Sequence, residues 1–357
     1  MIEVRSLTEA TLNDAATLVG SRFSTAACDI LQMVMSNPLR RICWECGDIA
    51  YENGKPACFQ AAILRRLYWG RTELMGLAGG LTCASSVASE AAFIDVKIAS
   101  DKERGGAKWG FGNSCNQLSA SLVPKNKKMR AGPESCARYL WRAIRPVECA
   151  LYFIWRKLLK GDMPRWRDFS TLGSADWREE RKGLSVRRVM GVEKGFYDVL
   201  TERQRACNQG VFCSRTAEEI DWIFGERIRS GEAVVLGAYR DDDPVGYILL
   251  RSDKKAKRWK IHDWFAVRND KSVLEELVRS ALHYLRRETP AMMLEVEGFP
   301  TWIQPVLKRY LPFVRKMGFN QFCWGTRDKE LRSQLEAVLD SPKSWFFGPY
   351  DGDECMS

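Results

Sequence analysis

The chain has 357 residues, 55 Lys and Arg against 45 Asp and Glu, a formal net charge of +10, and 45% hydrophobic residues. That composition excludes a mainly disordered chain, and the length accommodates about two domains with cores of their own. No apolar run reaches the ~20 residues of a membrane span, and the nearest candidate, 146–159, carries Glu148, Arg156 and Lys157.

The opening stretch MIEVRSLTEATLNDAATL holds acids where a secretory signal would be apolar. Export is therefore not expected, and the twelve cysteines are expected to be reduced thiols in a cytoplasmic protein. Only Cys43 and Cys46 form a C-x-x-C pair, and His262 and His283 are the only histidines, so no metal site is expected. The positive charge is concentrated: residues 124–188 hold 17 Lys and Arg against 7 Asp and Glu, which accounts for the whole excess. Such a segment is either a solvated linker or a platform for an anionic partner: a nucleotide cofactor, a tRNA, a phospholipid surface or an acidic sugar.

In chain order, a strand over 2–6 leads past Thr8 or Thr11, as a cap, into a helix through 15–19 and a second near 29–35. The apolar runs ICWECGDIAY and ACFQAAILRRLYW flank Asn53-Gly54, a strong hairpin signal. A strand over 73–82, a helix over 89–100, a strand over 108–112, a helix near 116–123 and strand material near 137–143 follow. A further helix is expected over about 150–160. The second half repeats the plan. A strand over 185–192 precedes helices over 196–206 and 217–229, and a hairpin turns at 241–244. A strand over 259–267, a long helix over 273–287, a strand over 292–297, a helix over 302–310 and a strand over 320–326 complete it. The fold class this predicts is α/β, an α+β mixed sheet in two tandem copies. The expected division is an N-terminal domain over 1–145, a basic Trp- and Arg-rich linker over 146–183, a C-terminal domain over 184–328, and a helix with a docked tail over 329–357.

This order of elements resembles the GCN5-related N-acetyltransferase (GNAT) superfamily, in tandem across nearly all of the chain. The resemblance implies that the fourth strand of a half splays from the fifth and that the pantetheine arm of an acyl donor lies in the gap. It also implies a loop after the fourth strand that cradles the donor's pyrophosphate on the free N–H groups of a helix start. In the first half that loop is Thr82, Cys83, Ala84, Ser85, Ser86, Val87 and Ala88, with Ser89 as the helix cap. It departs from the family's Arg/Gln-x-x-Gly-x-Gly/Ala pattern, although its small residues allow close backbone approach. The segment from Asn116 to Lys125 is similar to the family's Asn-x-x-Ala-x-x-Leu-Tyr-x-Lys, which gives Asn116 a contact to the pantetheine arm. Val123 stands where that family has a proton-donating Tyr. The second half's loop, 267–272, has no glycine and contains Asp270, so the donor is expected in the first half.

N-acyl transfer needs a base for the attacking amine and a proton donor for the leaving thiol. His262 and Asp263 are adjacent on the second half's fourth strand, where alternation sends them to opposite faces, so at most one meets a cleft. Each also has a plainer reading, as a hydrogen-bonded sheet histidine and a solvated aspartate. Glu295 and Glu297 share a face of the next strand and suit either a cationic amine or a loop cap. Cys83 is placed for nucleophilic attack but has no base nearby in sequence, which favours a buried thiol.

The function expected is an acyltransferase that moves a group other than an aminoacyl group. Its donor is acetyl-CoA, another acyl-CoA or an acyl-carrier-protein thioester, and its acceptor a small-molecule or sugar amine. Two alternatives stay open: a Fem-type transferase using aminoacyl-tRNA, which suits the basic segment, and an inactive binding protein of the same fold. The tail, with Trp345, Phe346, Phe347 and Tyr350, is too apolar for a free terminus and is expected to fold back, carrying Asp351 and Asp353 towards basic groups.

Overall fold

In the computed structural model, β1 (Ile2–Ser6) pairs antiparallel with β2 (Gly47–Glu52), and α1 (Leu12–Arg22) and α2 (Ala27–Met35) lie in the connection between them. The residues described are 2–22, 27–41, 47–85, 109–115, 129–131, 138–159, 175–207, 210–252, 257–296, 299–316, 321–326, 328–339 and 344–351. Asn53 and Gly54 take φ of 52° and 77°, the left-handed pair a tight two-residue hairpin needs, and return the chain into β3 (Lys55–Trp69). β4 (Thr72–Ala84) runs antiparallel to β3, β5 (Trp109–Cys115) runs parallel to β4, and β6 (Met129–Ala131) ends the sheet. The expected helices over 89–100 and near 116–123 lie outside the described residues.

The chain continues through β7 (Arg138–Ala143), α3 (Pro146–Leu159), β8 (Arg178–Arg181), β9 (Leu184–Val189), α4 (Lys194–Ala206) and β10 (Val211–Cys213). Next comes α5 over 217–229, where Thr216 and Glu219 form a capping box and residues Asp221–Gly225 make a π-helical turn. β11 (Ala233–Arg240) and β12 (Asp243–Ser252) form a hairpin about Asp241 and Asp242, both at positive φ. That turn is shorter than the 241–244 expected, because Pro244 sits in the ladder opposite Tyr239 beside a bulge. β13 (Arg258–Ala266) leads to α6 (Lys271–Glu288), whose Val273, Leu274, Leu277, Val278, Ala281, Tyr284 and Leu285 recur at helical spacing and are all buried. β14 (Met293–Val296), α7 (Gln304–Tyr310), β15 (Phe313–Lys316), β16 (Gln321–Thr326), α8 (Lys329–Leu339) and β17 (Trp345–Phe346) follow.

The first sheet has the order β1-β2-β3-β4-β5-β16-β6, and the second, read from its other edge, β8-β9-β11-β12-β13-β14-β7-β15. From β9 onward the second matches the first place for place, and the strand next to the end is exchanged. β7 lies between β14 and β15, antiparallel to both. β16 lies between β5 and β6, again antiparallel to both. The sequence places 137–143 in the first half and 320–326 in the second; in the structure each completes the other sheet. Alternation encodes that a segment is a strand but not which edge receives it. The short strands β6, β8, β10, β15 and β17 carry no periodicity of their own and were not among the expected elements.

The first sheet also takes two strands from later in the chain: β10 pairs antiparallel with β3 through Val211 and Trp69 and parallel with β17. Trp222 Nε1 on α5 donates to the Met33 carbonyl on α2 at 2.7 Å, and Ser214 N donates to the Arg66 carbonyl at 2.7 Å. Gly210 has φ of +67°, and a Cβ there would stand 2.3 Å from the Ser344 carbonyl oxygen, so only glycine lets the tail approach. Phe346, Phe347, Tyr350 and Asp351 are all buried in this junction. A single hydrophobic cluster runs from Leu7 to Tyr350 and takes residues from both sheets.

Candidate active site

Each sheet contains a parallel strand pair that separates. β4 and β5 are in register only over Gly76–Ala78 against Trp109–Phe111. β4 continues to Ala84 and β5 to Cys115 without pairing further. A register shift on β4 between the partners of Gln60 and Ala62 adds one residue to the same stretch. Gly79 and Gly80 on β4 and Gly112 on β5 follow directly on the last paired residues of the two strands. Over 79–82, the β5-facing edge of β4 has no strand partner among the described residues, an arrangement that can accept an extended amide-bearing chain.

The second sheet separates in the same manner, with β13 and β14 paired only through Arg258, Trp259 and Lys260 against Met293, Leu294 and Glu295. Here the chain's own tail occupies the divergence. The Phe346 ring lies 5.9 Å from Phe265 on β13 and 6.3 Å from Phe299 beyond β14, touching both walls. Gly348 passes so near that a Cβ would stand 2.9 Å from the Phe299 ring. The start of α6 is closed as well. Asp270 Oδ1 accepts the Ser272 and Val273 amides at 2.8 and 3.4 Å and the Ser272 hydroxyl at 2.6 Å. Partial burial raises the Asp270 pKa, but these hydrogen bonds and Arg240 outweigh it and hold the carboxyl below its ordinary value. The position an anionic ligand would take is filled by a resident carboxylate.

His262 and Asp263 follow from a β-bulge. Leu249 pairs with Asp263 and Leu250 with Ile261, which leaves His262 as the extra residue of β13. The bulge interrupts the alternation that the sequence implied, and both side chains are buried. His262 packs edge-on to Phe224 at 5.9 Å, which the π turn of α5 presents. Its Nδ1 has no hydrogen-bond partner among the described residues. Burial, then the charges of Arg251, Lys260 and Arg227, holds its pKa well below the ordinary 6.5, so the ring is neutral at pH 7.

Asp263 is fully enclosed. Its carboxylate accepts Arg215 Nε at 2.9 Å and Nη2 at 3.1 Å, and the Tyr247 hydroxyl donates to the same group. Arg215 Nη2 also donates to Asp351 Oδ2 at 3.0 Å, so one guanidinium serves two carboxylates, all three side chains being inaccessible. Burial raises the Asp351 pKa, and the neighbouring Asp263 adds to it against the pull of Arg215. Arg65 Nη2 donates to the Tyr350 carbonyl at 2.6 Å, and the Tyr350 hydroxyl donates to the Ser214 carbonyl at 3.0 Å. Arg215, Tyr247 and Arg65 were not singled out from sequence; the signal available was an arginine inside an apolar run, as in VFCSRTA and AAILRRLYW.

The other expected site residues divide by location. Thr82, Cys83 and Ala84 end β4, and Cys83 is a buried thiol outside any disulfide. Ser85 is exposed, with its amide donating to the Ala57 carbonyl at 2.8 Å. Ser86, Val87, Ala88, Ser89 and Asn116 lie outside the described residues, as does Glu297. Glu295 is buried between Lys260 on β13 and Trp141 on β7. Among the described residues, no group of His, Cys, Asp and Glu is arranged to hold a metal ion, and no helix is long and apolar enough to cross a membrane.

No protein-family model matches the chain, and no curated protein matches it in sequence. Solved structures do match. The GCN5-related N-acetyltransferase from Anabaena variabilis superposes with a TM-score of 0.55 at 12% identity, over 91% of this chain and 72% of that one. The corresponding protein from Kribbella flavida gives 0.52 at 9% identity, over 91% and 70%. Saccharomyces cerevisiae N-myristoyltransferase, solved with bound myristoyl-CoA, gives 0.54 at 13% identity, over 91% and 79%. With mixed sheets, an interrupted parallel pair in each and these neighbours, the chain has the fold of the GCN5-related N-acetyltransferases.

Proposed function

We propose that the protein is an N-acyltransferase built from two copies of one domain, taking an acyl-CoA donor in the gap between β4 and β5. The observation that carries this is the contrast between the two gaps. The first carries Gly79, Gly80 and Gly112 at its divergence, and the β5-facing edge of β4 over 79–82 has no strand partner among the described residues. The second is filled by Phe346 and capped by Asp270. A pantetheine arm has two amides, which the edge of β4 over 79–82 suits, and small residues at 82–85 allow its diphosphate close to the backbone. When bound, the thioester supplies the electrophilic carbonyl. In this reading, His262 is the base: burial keeps it neutral, its Nδ1 has no hydrogen-bond partner among the described residues, and the bulge must open for an amine to reach it. Asp263 positions Arg215 and the tail and takes no proton from the substrate.

The test is a calorimetric titration of the whole protein with coenzyme A and acetyl-CoA, beside the S85D/S86D and N269D variants. Binding to the parent and to N269D, lost in S85D/S86D, is expected. Equal affinity in S85D/S86D overturns the placement, and no binding by the parent overturns the donor. A rise in melting temperature with tRNA, and none with coenzyme A, transfers the reading to aminoacyl transfer, which the basic segment 124–188 suits.

A further inference from the structure

α3 is turned inside out. Val147, Leu151, Ile154 and Leu158 recur at intervals of four and three, the apolar stripe by which a helix normally packs on a core. Here that stripe faces solvent: Val147 is 73% exposed, Leu158 72%, Ile154 53%, and the adjacent Phe153 50%. The inward side is the one carrying Arg145 and Cys149. Arg145 Nη1 donates to the Ala291 carbonyl at 2.5 Å and Nη2 to the Arg286 carbonyl at 2.6 Å, and Cys149 is buried. This anchor at the head of the helix fixes its rotation, so the apolar face cannot turn inward without breaking one buried and one partly buried hydrogen bond.

The exposure is local. Of the eight large apolar side chains exposed among the described residues, five lie on α3 and two, Phe313 and Val314, on the edge strand β15 beside β7, which leads into α3. Scattered exposed apolar residues are ordinary; a stripe of them on one helix marks a surface that something covers. The charge of the sequence segment in which it lies is the second observation. α3 lies in the stretch 124–188, with its 17 Lys and Arg against 7 Asp and Glu, and exposed Lys157 borders the stripe. A second copy of this chain docking here would bring two such stretches together against their repulsion. At 14 residues the helix is too short to span a bilayer but suits lying in its surface.

We propose that α3 is an interfacial anchor that docks the protein on an anionic phospholipid surface. Val147, Leu151, Ile154 and Leu158 enter the headgroup–acyl boundary, and Lys157 with the other bases of the segment meets the lipid phosphates. This inference does not depend on the acyl-transfer reading. It places the amine acceptor, if that reading holds, among molecules found at a membrane surface.

The test is co-sedimentation of the full chain with vesicles of phosphatidylcholine alone and of phosphatidylcholine with an equal share of phosphatidylglycerol, using the parent and L151E/I154E. Both positions are solvent-facing, so the variant should melt where the parent does. Binding to the phosphatidylglycerol vesicles is expected, weakened by salt, and reduced on the order of a hundredfold in the variant. Equal binding by parent and variant overturns the proposal, as does absence of binding by the parent. In the latter case, a parent dimer in analytical ultracentrifugation that the variant dissociates would identify the face as a self-interface. A monomeric parent with a variant of lowered melting temperature would instead show that another part of this chain covers the helix.

Discussion

Arg215 and Asp351 are 136 residues apart in sequence and joined by a 3.0 Å ion pair from which water is wholly excluded. The same guanidinium holds Asp263 in a two-point contact, so the tail is tied through Arg215 to the bulged strand β13. A buried ion pair is poor evidence of net stability, but removing one member leaves an uncompensated charge. Arg215→Leu strands two carboxylates and should cost about 3–5 kcal/mol in denaturant unfolding. Asp351→Asn keeps an acceptor for the Gly348 amide, now bound at 2.7 Å, and leaves Asp263 with Arg215. It should cost no more than about 1 kcal/mol. Equal losses in the two variants would refute the view that Arg215 is the hub.

His262 should make the protein acid-sensitive. Its folded pKa lies well below 6.5, so the unfolded chain binds a proton there that the native protein does not. Its contribution to stability is therefore complete above pH 6.5 and declines by about 1.4 kcal/mol per pH unit below that, until the folded pKa is reached. His262→Gln should flatten this limb in unfolding curves taken from pH 7 to 5. If the parent and variant curves run parallel, the histidine is accessible or paired.

Phe346 should matter more to stability than to donor binding. Its ring is fully enclosed against Phe265, Phe299 and Trp302. Phe346→Ala should cost about 3–5 kcal/mol. Coenzyme A should still bind with one site per chain at unchanged affinity. A second site appearing in the variant would show that the tail displaces a donor from β13 and β14, and would overturn the assignment to the first sheet alone.

Neither half should fold alone. A fragment ending at residue 145 lacks β16, leaving β5 and β6 unpaired on their facing edges, while it carries β7 with no partner. Such open edges favour aggregation. The fragments 1–159 and 175–357, produced together, should associate and melt as one unit; 1–159 alone should show no cooperative transition. A sharp melt of 1–159 would argue that the exchange is dispensable.

Local chemistry made much of the fold legible. The Asn53-Gly54 turn, the apolar period of α6 and the Thr216/Glu219 box each specify backbone within a few residues, and the structure has all three. The exchange of β7 and β16 was not legible, because both are antiparallel to two neighbours and their alternation would fit either sheet. The site followed the same rule. Asp263 reads as a free carboxylate in IHDWF, since the arginine that claims it lies 48 residues away and its Tyr247 partner on another strand. The bulge at His262 is likewise invisible: it depends on how β12 and β13 register across the ladder.

The strand exchange also bears on how the chain leaves the ribosome. β16 is made about 200 residues after β5, which at ordinary synthesis rates is a delay of roughly 10–40 s. Throughout that time the nascent first sheet presents an unfilled slot between β5 and β6, while β7 waits for β14. Final closure of both sheets is thus postponed until β14 and β16 have emerged, and the polypeptide before that point is a natural client for chaperones that shield strand edges.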